Sequence, residues 1–173
     1  MRVDNRKGHG GGAQAATPSS VPLWQQQRQL NAQLANGGRE EIANLVLEHG
    51  DVMNSVNLAT ALHRLAKSSA GRGRFGGADW DGGQELEALL CALTTRVLEA
   101  ESNVTSRSLT SIAWAIGKLR LSDAELLAAL SGQASTALSR ATLDCFGIAN
   151  VAWALATLHS TTLSQSTETV SFE

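Results

Sequence analysis

The sequence predicts an all-α fold: a right-handed α-solenoid of about three helix-turn-helix repeats with a period near 39 residues. Three observations carry that expectation. The chain is rich in Ala and Leu, lacks Tyr and has its two prolines, Pro18 and Pro22, near the start; Ala and Leu favour helix, whereas strands favour β-branched and aromatic residues. One apolar stripe at helical spacing is written three times, as Leu58, Ala61, Leu62 and Leu65, then Leu109, Ile112, Ala113 and Ile116, then Ile148, Val151, Ala152 and Leu155. Four residues before each stripe stands a good N-cap residue, Asn54, Thr105 or Asp144. Its side-chain oxygen can accept an orphan N–H of the first turn, worth about 1 kcal/mol over Ala.

In chain order, residues 1–20 are expected to be a disordered or targeting segment, because they are Gly-, Ala-, Arg- and Ser-containing with one acid and no apolar core. Leu23, Leu30 and Leu34 within "PLWQQQRQLNAQL" predict an extra N-terminal helix. The helical domain is expected over 21–160, with repeats at roughly 36–67, 82–119 and 122–159. Ile42, Leu45 and Val46 predict the first helix of the first repeat, and Leu86, Leu89, Leu90, Leu93 and Val97 that of the second. Between these two repeats, the Gly-rich stretch 68–83 predicts a flexible loop. Ser122 and Glu125 form an S-x-x-E pattern that predicts a capping box at the first helix of the third. The Ser/Thr-rich tail 161–173 has no helical pattern and is expected to be flexible.

A second aligned trio, His63, Trp114 and Trp153, is followed by small Ala66, Gly117 and Ala156. At about 100° per residue these lie beside the apolar stripe, so each helix is expected between two neighbours. The two indoles are expected to share one interior in equivalent ways. The outward positions then differ among copies: Asn57, Thr60, Arg64 and Lys67; Ser108, Ser111, Ala115 and Lys118; Gly147, Asn150, Ala154 and Thr157. A solvated face explains such variation, and so does modular recognition by changing polar groups.

Several classes of function find no support in the residues. The net charge of −2 is no strong nucleic-acid footprint, although residues 1–39 hold five cations against Asp4 and residues 68–101 hold six acids against three Arg. No apolar run reaches the roughly 18 residues of a membrane span. Cys91 and Cys145 are isolated and suit small buried thiols better than a disulfide. His9, His49, His63 and His159 have no metal-ligand spacing to Cys, Asp or Glu. The runs "GHGGG" and "GRGRFGG" lack the Gly-Lys-Ser/Thr ending of a phosphate loop, and "RGRFGG" is one copy of an RGG-like segment that a plain loop explains as well. No nucleophile–base arrangement stands out, so a non-enzyme without cofactor, metal or small-molecule substrate is expected.

The segments "HGDVMNSVNLATALHRLAK" (49–67), "IAWAIGKL" (112–119) and "VAWALATL" (151–158) resemble the octotricopeptide repeats of algal and protist organelle proteins and the related helical repeats of FAST-kinase-like mitochondrial proteins. The likeness extends from about Leu23 to His159. It implies an RNA-binding protein of a mitochondrion or plastid, acting in transcript stabilisation, processing or translation, on single-stranded organellar RNA or within a larger RNA-processing or ribosomal assembly. On that reading Asn57, Arg64, Ser111 and Asn150 meet base edges, Lys67, Arg107 and Lys118 meet phosphates, and Thr60 is a further RNA-binding residue. The alternative is a non-catalytic protein-interaction scaffold of the same fold, cytoplasmic if no organelle is involved. A continuous positive groove over Arg64, Lys67, Arg107 and Lys118 would favour RNA over the scaffold, and a patchwork of charge would favour the scaffold over RNA.

Overall fold

The computed structural model describes residues 21–68, 83–101, 104–121 and 123–169, with the side chains of the last helix described through His159. The expected N-terminal segment 1–20 and nearly all of the expected Gly-rich loop lie outside the described residues. Within them the fold is all-α and repeat-like, with no strand: α1 (Leu23–Asn36), α2 (Arg39–His49), a 3-10 turn (Gly50–Val52), α3 (Ser55–Ser68), α4 (Gly83–Ala100), α5 (Ser106–Leu119), α6 (Ala124–Ser139) and α7 (Cys145–Thr169).

Helices alternate between two layers. One layer runs α1, α3, α5, α7, each packed along the next, and the other runs α2, α4, α6. The first two stripes lie in the resulting core, Leu58, Ala61, Leu62 and Leu65 in α3 and Leu109, Ile112, Ala113 and Ile116 in α5 all being buried. Leu30 and Leu34 bring α1 onto the same core, joined from the other layer by Ile42, Val46, Leu86, Leu90, Leu93, Val97, Leu126 and Leu130.

The caps repeat as the sequence predicts. Asn54 Oδ1 accepts from Asn57 N at 3.0 Å, Thr105 Oγ1 from Ser108 N at 3.2 Å, and Asp144 Oδ1 from Gly147 N at 2.7 Å. At α6 the register differs from the expected Ser122 capping box. The N-cap is Asp123, whose Oδ1 accepts from Leu126 N at 2.9 Å; Asp caps as well as Ser does, and it begins the helix one residue later. The C-terminal expectation also changes. No Gly or Pro follows Gly147, and α7 continues to Thr169, through most of the segment expected to be a flexible tail.

Two helix ends use a left-handed residue that is not glycine. Arg120 (φ 55°) closes α5 and Ala141 (φ 52°) follows α6. In both turns two backbone N–H groups fold back onto the last carbonyls: Arg120 N to Gly117 O and Leu121 N to Ile116 O, then Ala141 N to Leu138 O and Thr142 N to Ala137 O. This is the Schellman arrangement, in which Gly is the usual left-handed residue.

The third stripe is only partly buried, which corrects the expectation of three equivalent copies. Val151 is buried, but Ile148 and Ala152 are exposed and Leu155 is half-buried. The inward residues of α7 are instead Gly147, Val151, Ala154 and Leu158, the side that meets α5. The close approach there depends on Gly117. A methyl placed on Gly117 would come within 2.7 Å of Trp153 Cζ3 and 3.1 Å of the Ala154 Cα.

Two stability measurements check these contacts. Ala141→Gly should raise the free energy of urea unfolding by about 0.5–1 kcal/mol, because it relieves the left-handed Cβ clash at an exposed site. Gly117→Val should lower it by about 2 kcal/mol, since backbone as well as indole must give way.

Candidate functional site: the outer strip of the second-helix layer

The helices α3, α5 and α7 present a common strip away from the other layer, and its residues follow from the sandwich. On one side α3 and α5 meet their successors through positions 58, 62 and 66 or their equivalents. On the other each helix meets its predecessor through Ala61, through Ser108, Ile112, Ala115 and Leu119, or through Gly147, Val151, Ala154 and Leu158. What remains outward is the i, i+4, i+7, i+11 set: Val56, Thr60, His63 and Lys67; Arg107, Ser111, Trp114 and Lys118; Phe146, Asn150, Trp153 and Thr157. All twelve are exposed or half-buried.

This placement corrects part of the outward face expected from sequence. Asn57, Ser108, Ala115, Gly147 and Ala154 are buried against the preceding helix of their own layer. Asn57 is 1% exposed, and its amide is used structurally. Its Nδ2 donates to the Gln27 carbonyl at 2.9 Å, and Asn54 Nδ2 donates to Gln27 Oε1 at 3.1 Å. Gln27 Nε2 in turn donates to the Val52 carbonyl at 3.0 Å. This polar cluster pins α1 to the start of α3, so Asn57 has no edge left to offer a ligand.

The indoles are corrected in the opposite direction. Trp114 is half-buried and Trp153 is 44% exposed, with one edge on Gly117. Their equivalence of position holds, but they line the surface of the layer instead of filling its interior. The His63 ring lies 4.9 Å from that of Trp114, centroid to centroid, at an interplanar angle of 36°. Aligned across the layer, the strip carries a hydrogen-bonding row (Thr60, Ser111, Asn150), an aromatic row (His63, Trp114, Trp153) and a lysine row (Lys67, Lys118).

A groove of about 480 Å³ opens between α1, α3 and α5 and gathers four of the expected residues, Thr60, Arg64, Arg107 and Ser111, with His63 and Asn31. Arg64 is held by a 2.9 Å bond from Nη2 to the Gly37 carbonyl at the end of α1, which leaves other guanidinium donors for the groove. Thr60 Oγ1 sits 2.8 Å from Asn31 Oδ1 and 2.9 Å from the Val56 carbonyl. A smaller cleft of about 300 Å³ adjoins on the far side of Arg64 and is lined by Lys67, Arg39 and Gly37. Lys118 and Asn150 line neither recess and lie farther along the strip, on α5 and α7.

Charge separates by layer, a feature that sequence reasoning missed because it requires knowing which helices are neighbours. Through His159 the helices α1, α3, α5 and α7 contain Arg28, Arg64, Lys67, Arg107 and Lys118 and no Asp or Glu. The helices α2, α4 and α6 contain Glu40, Glu41, Glu48, Glu85, Glu87, Glu99 and Glu125 against Arg39 and Arg96. Taking alternate helices together would have been the sequence signal.

Among the described residues no group of three His, Cys, Asp or Glu side chains could hold a metal ion, and no helix is long and apolar enough to cross a membrane. The two thiols differ, which corrects the expectation that both are buried. Cys145 is exposed. Cys91 is half-buried, and burial, then the negative charges of Asp123 and Glu87, push its thiol up to about 11. No known family model matches the chain, and neither curated proteins nor solved structures give a significant match.

Near neutral pH Cys91 therefore stays a neutral thiol, which is a poor nucleophile. Iodoacetamide at pH 8 should modify Cys145 alone, with Cys91 reacting only as the pH approaches 11; peptide mass mapping across that range checks the order.

Proposed function

We propose that this chain is an RNA-binding protein of the helical-repeat type, a right-handed α-solenoid of about three helix-turn-helix repeats that carries single-stranded RNA across the outer strip of α3, α5 and α7. The observation that carries the reading is an outer layer whose helices hold no Asp or Glu through His159, on which hydroxyl and amide, aromatic and lysine rows run in parallel. Each row suits one part of a nucleotide. Lys67, Lys118, Arg64 and Arg107 answer phosphate charge, Trp114 and Trp153 offer flat faces on which unpaired bases stack, and Thr60, Ser111 and Asn150 supply groups for base edges or 2′-hydroxyls. Stacking is worth about 1–3 kcal/mol per base and tolerates sequence, whereas the polar row changes from helix to helix and could discriminate.

The likeness to octotricopeptide and FAST-kinase-like repeats supports the same reading. With it comes the proposed setting: a mitochondrion or plastid, and transcript stabilisation, processing or translation, alone or on a larger RNA-processing assembly. A strip with cations and stacking rings but no carboxylate favours RNA over the protein scaffold, because a general protein-docking surface has no need to exclude acids.

Filter binding with a single-stranded oligouridine at low salt tests the proposal. Retention should fall with salt at a log–log slope of about −1.4 to −2.8, corresponding to two to four phosphates. Lys67→Ala with Lys118→Ala should flatten the slope by about 1.4. Trp114→Ala should leave the slope in place and weaken binding about tenfold, at the lower end of the stacking range. No retention of any single strand at low salt would overturn the reading.

A further inference from the structure

The groove between α1, α3 and α5 differs in make-up from the strip that runs past it. Its polar lining is Arg64 and Arg107 with the hydroxyl and amide groups of Thr60, Ser111 and Asn31, and it contains no carboxylate. Its apolar lining is Ala35, Val56 and Ala59. A phosphate gains nothing from apolar walls, and exposed Lys67, Arg107 and Lys118 already meet phosphates from the strip. Apolar walls with a few placed polar groups suit a flat ring instead, and about 480 Å³ holds a nucleobase with room to spare.

The two arginines are not equivalent. Arg107 is exposed in the first turn of α5, whereas Arg64 is half-buried. The 2.9 Å bond from Arg64 Nη2 to the Gly37 carbonyl fixes that guanidinium in place, so less side-chain freedom is lost when its other donors engage a ligand. Thr60 stands four residues before Arg64, on the same side of α3 and about 6 Å away along the helix axis. Thr60 Oγ1 lies 2.8 Å from Asn31 Oδ1. A rigid fork of donors therefore sits one helical turn from two oxygens with lone pairs to accept.

Guanine answers both halves of that arrangement. Its O6 and N7 are adjacent acceptors, the pair that a guanidinium grips with two parallel bonds. The N1–H and N2–H groups on its adjoining edge are donors, complementary to the oxygens of Thr60 and Asn31. Adenine would turn its N6–H donors toward the arginine where guanine offers O6, and the pyrimidines have no N7. The His63 ring, which also lines the groove, is backed by Trp114 at 4.9 Å and gives the base a flat neighbour.

We infer that this groove is a guanine-reading subsite, in which Arg64 grips O6 and N7 of one unpaired guanosine while Thr60 and Asn31 accept from its N1–H and N2–H groups. The inference rests on the RNA-binding reading above and adds a base preference to it.

Fluorescence anisotropy of the full chain at low salt, with labelled oligouridine strands that differ at one central position, tests it. A strand with guanosine there should bind about tenfold tighter than strands with 7-deazaguanosine or adenosine; both substitutes keep a purine face for stacking, but the first lacks N7 and the second O6. Arg64→Lys keeps the charge and removes the fork. It should abolish the guanosine gain while leaving the affinity for plain oligouridine and its salt slope unchanged. Equal binding of the guanosine and 7-deazaguanosine strands by the unmodified protein, a gain shared by adenosine, or a guanosine gain that survives in Arg64→Lys would each overturn this inference and leave RNA binding in place. Failure to bind every strand would overturn the RNA-binding reading itself, and this inference with it.

Discussion

The packing of this molecule depends on α3 and α5 each being covered on both flanks by helices of their own layer. A single amphipathic helix needs one covered side. Here α3 and α5 need three: one toward α2, α4 and α6, one toward the preceding outer helix and one toward the next. The sequence meets that requirement with bulk on the inward side and small residues where outer helices run closest, as at Gly117 beneath the Trp153 ring and the Ala154 backbone. Because the contact is nearest-neighbour, stability accumulates helix by helix along the stack. Polar bonds between neighbours in the other layer fix the spacing: Arg96 Nη2 donates to the Gly50 carbonyl at 2.6 Å, and Gln133 Nε2 reaches the Leu98 and Glu101 carbonyls at the end of α4.

This geometry explains what could be learned from the sequence and what could not. The stripes of α3 and α5 and the caps Asn54, Thr105 and Asp144 are local signals, and local signals survive into the fold. The all-α class and the extra helix α1 follow from the same periodicity. The outward face was harder, because a period of 3.6 tells which residues share a side but not how many sides are covered. Ala115 and Ala154 look free on a helical wheel and are wholly buried. Trp114 and Trp153 look like core because indoles are large and apolar, yet a ring resting by one edge on a glycine satisfies its apolar surface while staying at the boundary. The Asn57 amide is a related case. Its polarity suggested recognition, but it serves the Gln27 cluster at the base of α3, a contact spanning 30 residues that no short motif encodes.

The first and last described helices of the outer layer differ in composition. The helix α1 exposes Leu23 and Trp24 beside Gln25, Arg28, Gln29 and Asn36, and it is fastened to its neighbour by Leu30, Leu34 and Gln27. Through His159, α7 exposes Cys145, Phe146, Ile148, Ala149, Ala152 and Trp153 and carries no Asp, Glu, Lys or Arg.

The separation of carboxylates and cations onto opposite layers has a consequence for how the molecule moves before it touches anything. Helix layers pack about 10 Å apart, slightly more than the Debye length of about 8 Å in physiological salt. Among the described helices the arrangement is therefore an electric dipole normal to the layers, in a molecule whose net charge is only −2. A uniform −2 sphere would be turned away by a polyanion at every orientation. This molecule experiences a torque instead, which swings Arg64, Arg107 and Lys118 toward the polyanion and the glutamates toward bulk water, so near such a surface its rotational diffusion is biased and not random.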